Sequence, residues 1–130
     1  MILQNDTYVQ KAEQVMERLS SQTGKNGRPL LMVTTSKIRN LLSMTNEIYN
    51  EVRLSREEKL SSDIIGQINY LKIRFVYEAG RDPQVKNFVT QSQILECLDE
   101  IRGSRERYLL FARYMEALVA YHRFKGGKDQ

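Results

Sequence analysis

Residues 104–124, S-R-E-R-Y-L-L-F-A-R-Y-M-E-A-L-V-A-Y-H-R-F, constrain this chain more than any other stretch. From Tyr108 to Phe124 only Arg113, Glu116, His122 and Arg123 interrupt an apolar and aromatic run. A helix that is apolar on nearly every face must be surrounded, because any side left open would keep hydrophobic area in water. Gly126 and Gly127 end the run. The remaining helices are therefore expected to gather round this one as a central strut. A length of 130 residues suits one hydrophobic core and not two ordinary domains, so residues 1–130 are expected to form a single helical domain.

Helical periodicity covers most of the rest. Asp6 can cap a first helix carrying Val9, Ala12, Val15, Met16 and Leu19 and ending near Ser20. Residues 22–34 combine a polar, glycine-bearing loop with the short β-like run L-L-M-V-T-T after Pro29. A lone strand has no partner for its edges, so that run reads as extended linker on the core and 22–34 as a flexible loop. Thr34 or Thr35 starts a second helix with Ile38, Leu41, Leu42, Thr45, Ile48, Tyr49 and Val52 in one stripe. Ser55 and Glu58 have the form of a capping box, which predicts a third helix running from there to about Ala79. Its inward face would be Leu60, Ile64, Ile68, Leu71, Phe75 and Ala79.

Gly80 is expected to stop that helix, and Asp82-Pro83 to cap and begin another with Val85, Phe88 and Val89 inward. A turn at 90–92 then leads to a piece carrying Ile94, Leu95, Leu98 and Ile101, and Gly103-Ser104 separates it from the last helix. The expected fold class is all-α, a compact bundle of about five or six helices.

Composition closes several functional classes. Hydrophobic residues make up 41% and charged residues 28%, a globular balance. Arg113 and Glu116 break the one run that approaches the roughly 18 apolar residues a membrane span requires, so no membrane partner is expected. The start M-I-L-Q-N-D-T-Y lacks a basic, then apolar, leader, and a cytoplasmic location is expected.

Cys97 is the sole cysteine and His122 the sole histidine, which excludes an internal disulfide and multi-cysteine zinc patterns. No catalytic residue, metal or cofactor is expected, and the chain is not expected to be an enzyme. Cys97 beside a core stripe reads as a buried, inert thiol. His122, one turn from a helix end, reads as packing or capping more readily than as a ligand contact. Gly24-Lys25 fails as a phosphate loop, since Leu19 and Asn26 stand where that motif needs Gly and Ser or Thr. Gly24-Lys25-Asn26-Gly27 matches a GXXG clamp, but that clamp works beside a β-sheet this chain does not offer.

The net charge of +4, spread evenly along the chain, permits a polyanionic partner without requiring one. A better signal is a second stripe on the third helix, where Gln67, Tyr70, Arg74, Tyr77 and Arg81 recur at helical spacing away from the core residues. Arginine pairs with phosphate through a planar fork and tyrosine offers a stacking face, a combination suited to an RNA strand laid along a helix. A structural role competes: Tyr70 and Tyr77 sealing the bundle, with Arg74 paired to Glu78 at i,i+4.

Three segments carry a resemblance: residues 34–42 (T-T-S-K-I-R-N-L-L), 73–81 (I-R-F-V-Y-E-A-G-R) and 111–124 (F-A-R-Y-M-E-A-L-V-A-Y-H-R-F). Their order and spacing resemble the small subunit of type III-A CRISPR interference complexes, the Csm family. The likeness spans 34–124, no one segment is a mechanistic signature, and the first helix and the loop at 24–29 add little to it.

The resemblance implies an all-helical, non-catalytic protein that packs in several copies along a ribonucleoprotein, beside guide RNA and target RNA and among other Csm subunits. Contacts to the sugar-phosphate backbone would make its binding independent of sequence and sensitive to salt. On that reading Lys37, Arg39, Arg74, Arg81 and Lys86 are the expected phosphate contacts, with Tyr70 and Tyr77 beside them. Arg113, Arg123 and Lys125 come second, because the last helix is more enclosed. Glu47, Glu51, Asp99 and Glu100 are expected to meet basic edges of a neighbouring copy. The alternative is a helical protein-binding adaptor or regulator without RNA contact.

Overall fold

A computed structural model of the chain describes residues 1–22 and 33–126. The loop at 24–29, with its GXXG match, and the first half of the β-like run, 30–32, lie outside the described residues. Six helices follow one another: α1 (Tyr8–Ser21), α2 (Thr35–Leu54), α3 (Ser62–Arg81), α4 (Pro83–Ser92), α5 (Ile94–Asp99) and α6 (Arg105–Phe124). Among the described residues no strand forms, only an isolated antiparallel bridge between Lys59 and Ser104. The architecture is all-α, as the periodicity predicts.

α6 takes the central position, packed against α1, α2 and α5. Tyr108, Phe111, Tyr114, Met115 and Leu118 are buried along it, while Arg113 and Glu116 lie on its one wet edge. Burying tyrosine is favourable only if the hydroxyl finds an acceptor. The Tyr108 hydroxyl donates to the Thr45 carbonyl of α2 at 2.8 Å, and the Tyr114 hydroxyl donates to the Ser92 carbonyl at 2.8 Å. Gln93 sits in the left-handed region at φ 59°, which breaks the helix between α4 and α5, and Tyr114 supplies a donor at that break. Burial pushes both phenols well above their ordinary pKa, so they act as neutral donors. His122 is buried too, with Nε2 bonded to the Val33 carbonyl, and it ties the end of α6 to the segment leading into α2.

Five local expectations are corrected. α3 begins at Ser62, not at Ser55 to Glu58. Residues 55–61 instead run alongside 103–105: the Leu60 N–H donates to the Gly103 carbonyl at 2.8 Å and the Arg105 N–H to the Glu58 carbonyl at 3.0 Å. Those bonds, with Leu60 buried between the two stretches, outweigh one capping box; the cap is Ser61, whose Oγ accepts from the Ile64 N–H at 3.2 Å. Gly80 does not stop α3. Asp82 ends it and at once caps α4, accepting the Gln84 N–H at 2.9 Å, while Pro83 has no N–H with which to continue α3.

The break after α4 falls at Gln93 rather than at 90–92, because Ser92 remains helical and buried, with its Oγ on the Phe88 carbonyl. In α1, Thr7 and not Asp6 is the N-cap residue, and Val9 is exposed, off the inward stripe of Ala12, Val15, Met16 and Leu19.

α3 packs on α2, α4 and α5 through Ile68, Leu71 and Phe75, which leaves its opposite side uncovered. Gly66 and Gly80 lie on that open side, where an added Cβ would meet no other atom within 4 Å. Each costs roughly 0.5–1 kcal/mol relative to alanine in a helix interior, and the bundle's own packing requires neither.

Two stability outcomes are expected. Tyr114→Phe leaves the Ser92 carbonyl without its buried donor and lowers the unfolding free energy by about 1 kcal/mol, read as a Tm drop of roughly 3–6 °C by calorimetry. Gly66→Ala raises the stability of the isolated chain by about 0.5–1 kcal/mol in denaturant titration; a loss would mean that the glycine serves the bundle itself.

Candidate nucleic-acid interface

The outward side of α3 presents Tyr70, Ile73, Val76 and Tyr77 at 55%, 60%, 50% and 53% exposure. Half-exposed tyrosines do not seal a core, which removes the structural role open to Tyr70 and Tyr77. The line from Tyr70 to Arg81 is built as a layered array. The Arg74 guanidinium carbon lies 5.1 Å from the Tyr77 ring centroid and that of Arg81 lies 5.9 Å from it, so two cations face one aromatic ring. Glu78 joins them, with Arg74 Nη2 donating to its Oε1 at 3.0 Å and Arg81 Nε forming a looser ion pair with its Oε2 at 3.7 Å. The i,i+4 pair between Arg74 and Glu78 is therefore present. Arg81, with 63% of its side chain exposed, is the more available fork. Gln67 lies lower on the stripe and donates to Asp63 Oδ2 at 3.3 Å.

The α3–α4 corner extends this line. Lys37 reaches across from α2, donating to Gln84 Oε1 at 2.7 Å and pairing with Asp82 Oδ2 at 3.1 Å, so it braces the corner instead of standing free. Arg81 precedes Asp82 in the chain, and Lys86 lies one turn beyond it. Burial pushes the Asp82 carboxyl up, but the Lys37 bond and charge and the N–H groups of Gln84 and Val85 together hold it below its ordinary 3.8. Arg39, Lys86 and Arg113 are exposed and make no side-chain hydrogen bond or ion pair among the described residues.

Arg113, Arg123 and Lys125 sit apart on α6 and just after it; Lys125 turns toward α1 and pairs with Glu17 at 3.6 Å. The structure thus brings Lys37, Arg74, Tyr77, Arg81 and Lys86 onto one helix line and its corner, and leaves the α6 cations elsewhere.

The acidic residues divide as well. Glu47 and Glu51 are exposed on α2, whereas Asp99 is bonded to Lys72. Glu100 accepts from the Ile2 and Leu3 backbone and pairs with Arg107 at 3.0 Å, so it anchors the chain's start and is not offered to a neighbour. Ile73 and Val76 escaped the sequence reading of this site, whereas the pairing of Glu78 with Arg74 was open from their spacing. Their signal was present, since Ile73 and Val76 are apolar residues that fall outside the inward stripe.

A groove of about 910 Å³ where 56–60 meets 102–106 is lined by Arg56, Lys59 and Arg102 against Glu57, Glu58 and Glu106, while the nearby Arg105 is engaged by the Ser55 and Arg53 carbonyls. Four cations, Arg105 included, face three carboxylates there, so the lining mixes both signs with an excess of only one positive charge. The Cys97 thiol is pushed up to about 12, by burial first and by the nearby Glu100 charge, which makes it a poor nucleophile at neutral pH. Among the described residues no group of three or more His, Cys, Asp or Glu side chains could hold a metal ion, and no helix is long and apolar enough to cross a membrane.

Fold and surface together define a small helical subunit whose distinctive chemistry lies along an outer helix rather than in a pocket. A family model described as Csm2 Type III-A matches residues 11–128. The chain is 44% identical to the CRISPR system Cms protein Csm2 of Streptococcus thermophilus over 98% of both chains, and 41% identical to that of Mycobacterium tuberculosis over 96% of both. It is 34% identical to the Enterococcus italicus protein of the same description, over 87% of this chain and 85% of that one. The chain belongs to the Csm2 family, the small subunit of the type III-A CRISPR complex, and other Csm subunits are its neighbours there. The likeness noted over residues 34–124 extends through α1.

The corner brace makes one pH-dependent outcome testable. Asn retains N-cap competence, so Asp82→Asn removes the charge and leaves the cap. Because the folded-state pKa is depressed, the contribution of Asp82 is present above 3.8 and is lost as pH falls through the lower folded value. Wild type should exceed Asp82→Asn by about 1 kcal/mol or less at pH 7, Lys37 being partly solvated. Denaturant titrations should show that gap closing below 3.8.

Proposed function

We propose that this chain is a non-catalytic subunit that holds the sugar-phosphate backbone of guide and target RNA without reading sequence, in a type III-A complex where it contacts other Csm subunits and further copies of itself. The observation that carries the reading is Tyr77, half exposed on α3 with Arg74 and Arg81 both facing its ring. Such an array offers a stacking face and two guanidinium groups whose orientation is set before the ligand arrives, which lowers the entropy lost on binding. Arg81, Lys86 and Arg39 are cations not engaged by any strong internal pair, Lys37 lies at the same corner, and Tyr70 continues the aromatic line. Arg113, Arg123 and Lys125 are a separate, secondary set of candidates on the far helix.

A non-catalytic role rests on the inert Cys97 and on His122 being enclosed against Val33. The core cluster running from Leu3 to Leu118 supports one domain over residues 1–130, and the proposal carries a cytoplasmic location with it. The exposed Ile73 and Val76 are what a protein-binding adaptor would also show, and the RNA experiment separates the two readings.

Arg74→Ala with Arg81→Ala should lower RNA retention by the assembled complex roughly tenfold or more, at about 1 kcal/mol per lost phosphate contact. It should also flatten the salt dependence of retention by about 0.7 in log–log slope for each contact removed from a single strand. Circular dichroism should stay that of the wild type, because neither side chain is in the core. A folded double variant that retains RNA at wild-type strength and slope would overturn the proposal and favour the adaptor.

A further inference from the structure

Between α2 and α3 runs a groove of about 550 Å³, inside the roughly 300–1,000 Å³ typical of small-ligand sites. Met44 and Ile48 of α2 give it an apolar wall, and Tyr70 of α3 gives it an aromatic one. Two carboxylates, those of Glu47 and Asp63, and no cation line it, although the chain as a whole carries +4. Neither carboxylate takes part in an ion pair among the described residues. Asp63 Oδ2 accepts a 3.3 Å bond from Gln67, and Glu47 has no side-chain partner among those residues.

Gly66 lies on the α3 side of the same groove, and a Cβ added there would meet no other atom within 4 Å. A glycine in mid-helix lowers helix stability, and the bundle's packing gives no reason for this one. Its missing side chain keeps the α3 wall of the groove open.

The lining selects a ligand by exclusion. It repels anions, and a wholly apolar ligand would cover two carboxylates without pairing them. A bare metal ion would leave Met44, Ile48 and Tyr70 without a role. Ammonium groups joined by a hydrocarbon stem match every part of the lining. We propose that this groove binds a free aliphatic diamine or polyamine. Its nitrogens donate to Glu47 and Asp63, its methylenes cover Met44 and Ile48, and the Tyr70 ring faces an ammonium, with Gly66 leaving room for the stem.

The amine site stands without the RNA reading; only its consequence rests on that reading. Tyr70 belongs both to the groove and to the line ending at Arg81, so Glu47 and Asp63 put negative charge beside the surface proposed to hold phosphates. A bound polyamine removes that repulsion.

The test is isothermal titration calorimetry on the full chain, free of RNA, at low ionic strength, with putrescine, its longer homologue cadaverine, and spermidine as ligands. The expected result is one site per chain. The dissociation constant should fall by up to about fourfold for an added methylene that reaches the apolar wall, and magnesium should not displace the amine at equal concentration. Glu47→Gln and Asp63→Asn should each weaken binding about fivefold or more, whereas Glu51→Gln, exposed on the same helix but outside the groove, should leave it unchanged. Gly66→Ala separates the site from the fold, because it should weaken binding while making the chain more stable. Absence of binding in the millimolar range, equal displacement by magnesium, or folded groove variants that bind like the wild type would each overturn the proposal. So would carbodiimide cross-linking of Glu47 or Asp63 to a lysine of a neighbouring subunit in the intact complex, which would give the groove to a protein side chain.

Discussion

Tyr108 and Tyr114 are fully buried on the same helix, and each ends on a backbone carbonyl 2.8 Å away, one in α2 and one at the junction of α4 and α5. Those two hydroxyls make the central position of α6 possible. An apolar helix can be enclosed by any oily surface, but a tyrosine at its centre can be enclosed only where an acceptor waits at the right depth. The register of α2 on one side of α6, and the place at which α4 gives way to α5 on another, are therefore set by the reach of two phenol rings. At the far end His122 adds a third such tie to Val33.

With α6 at the centre, α3 lies at the periphery. It contributes Ile68, Leu71 and Phe75 to the core and keeps a full side free, and that free side holds the exposed aromatic and aliphatic residues. The arginines on its edge are not arranged by a pocket. They are held by Tyr77 and Glu78 on the same helix, so the array depends on α3 being helical as far as Arg81, and Asp82 with Pro83 sets that end. Lys37 then fastens the corner to α2. A fold of this kind presents its exposed aromatic and cationic groups on a convex surface, where small molecules find little to enclose them.

Much of this was legible from residue order. The apolar run through α6, the inward stripes of α2 and α3, the Asp82-Pro83 junction and the line of Tyr70, Arg74, Tyr77 and Arg81 all follow from helical periodicity, which depends only on local geometry. The start of α3 did not follow, because Ser55 and Glu58 satisfy a local rule that long-range bonds to Gly103 and Arg105 override. The left-handed turn at Gln93 was hidden for a similar reason: no glycine marks it, and it is held by tertiary contacts such as the bond from Lys11 Nζ to Gln93 Oε1. At the site, sequence distinguished cations from core but not engaged cations from available ones. Lys37 and Lys86 look alike in the chain, and only the fold shows that one is a brace and the other is open to solvent. Glu100 likewise reads as a surface acid until the chain's first residues are seen to fold onto it.

The central claim is that the outward face of α3 is where this subunit meets RNA. Ultraviolet cross-linking of the intact ribonucleoprotein, followed by mass spectrometry of this chain's peptides, addresses it most directly, because tyrosines stacked on bases or held against the strand become covalently marked. The account requires the adducts to fall on Tyr70 and Tyr77, in peptides from α3. Adducts confined to α1 or α6, with the α3 peptides recovered unmodified, would contradict it.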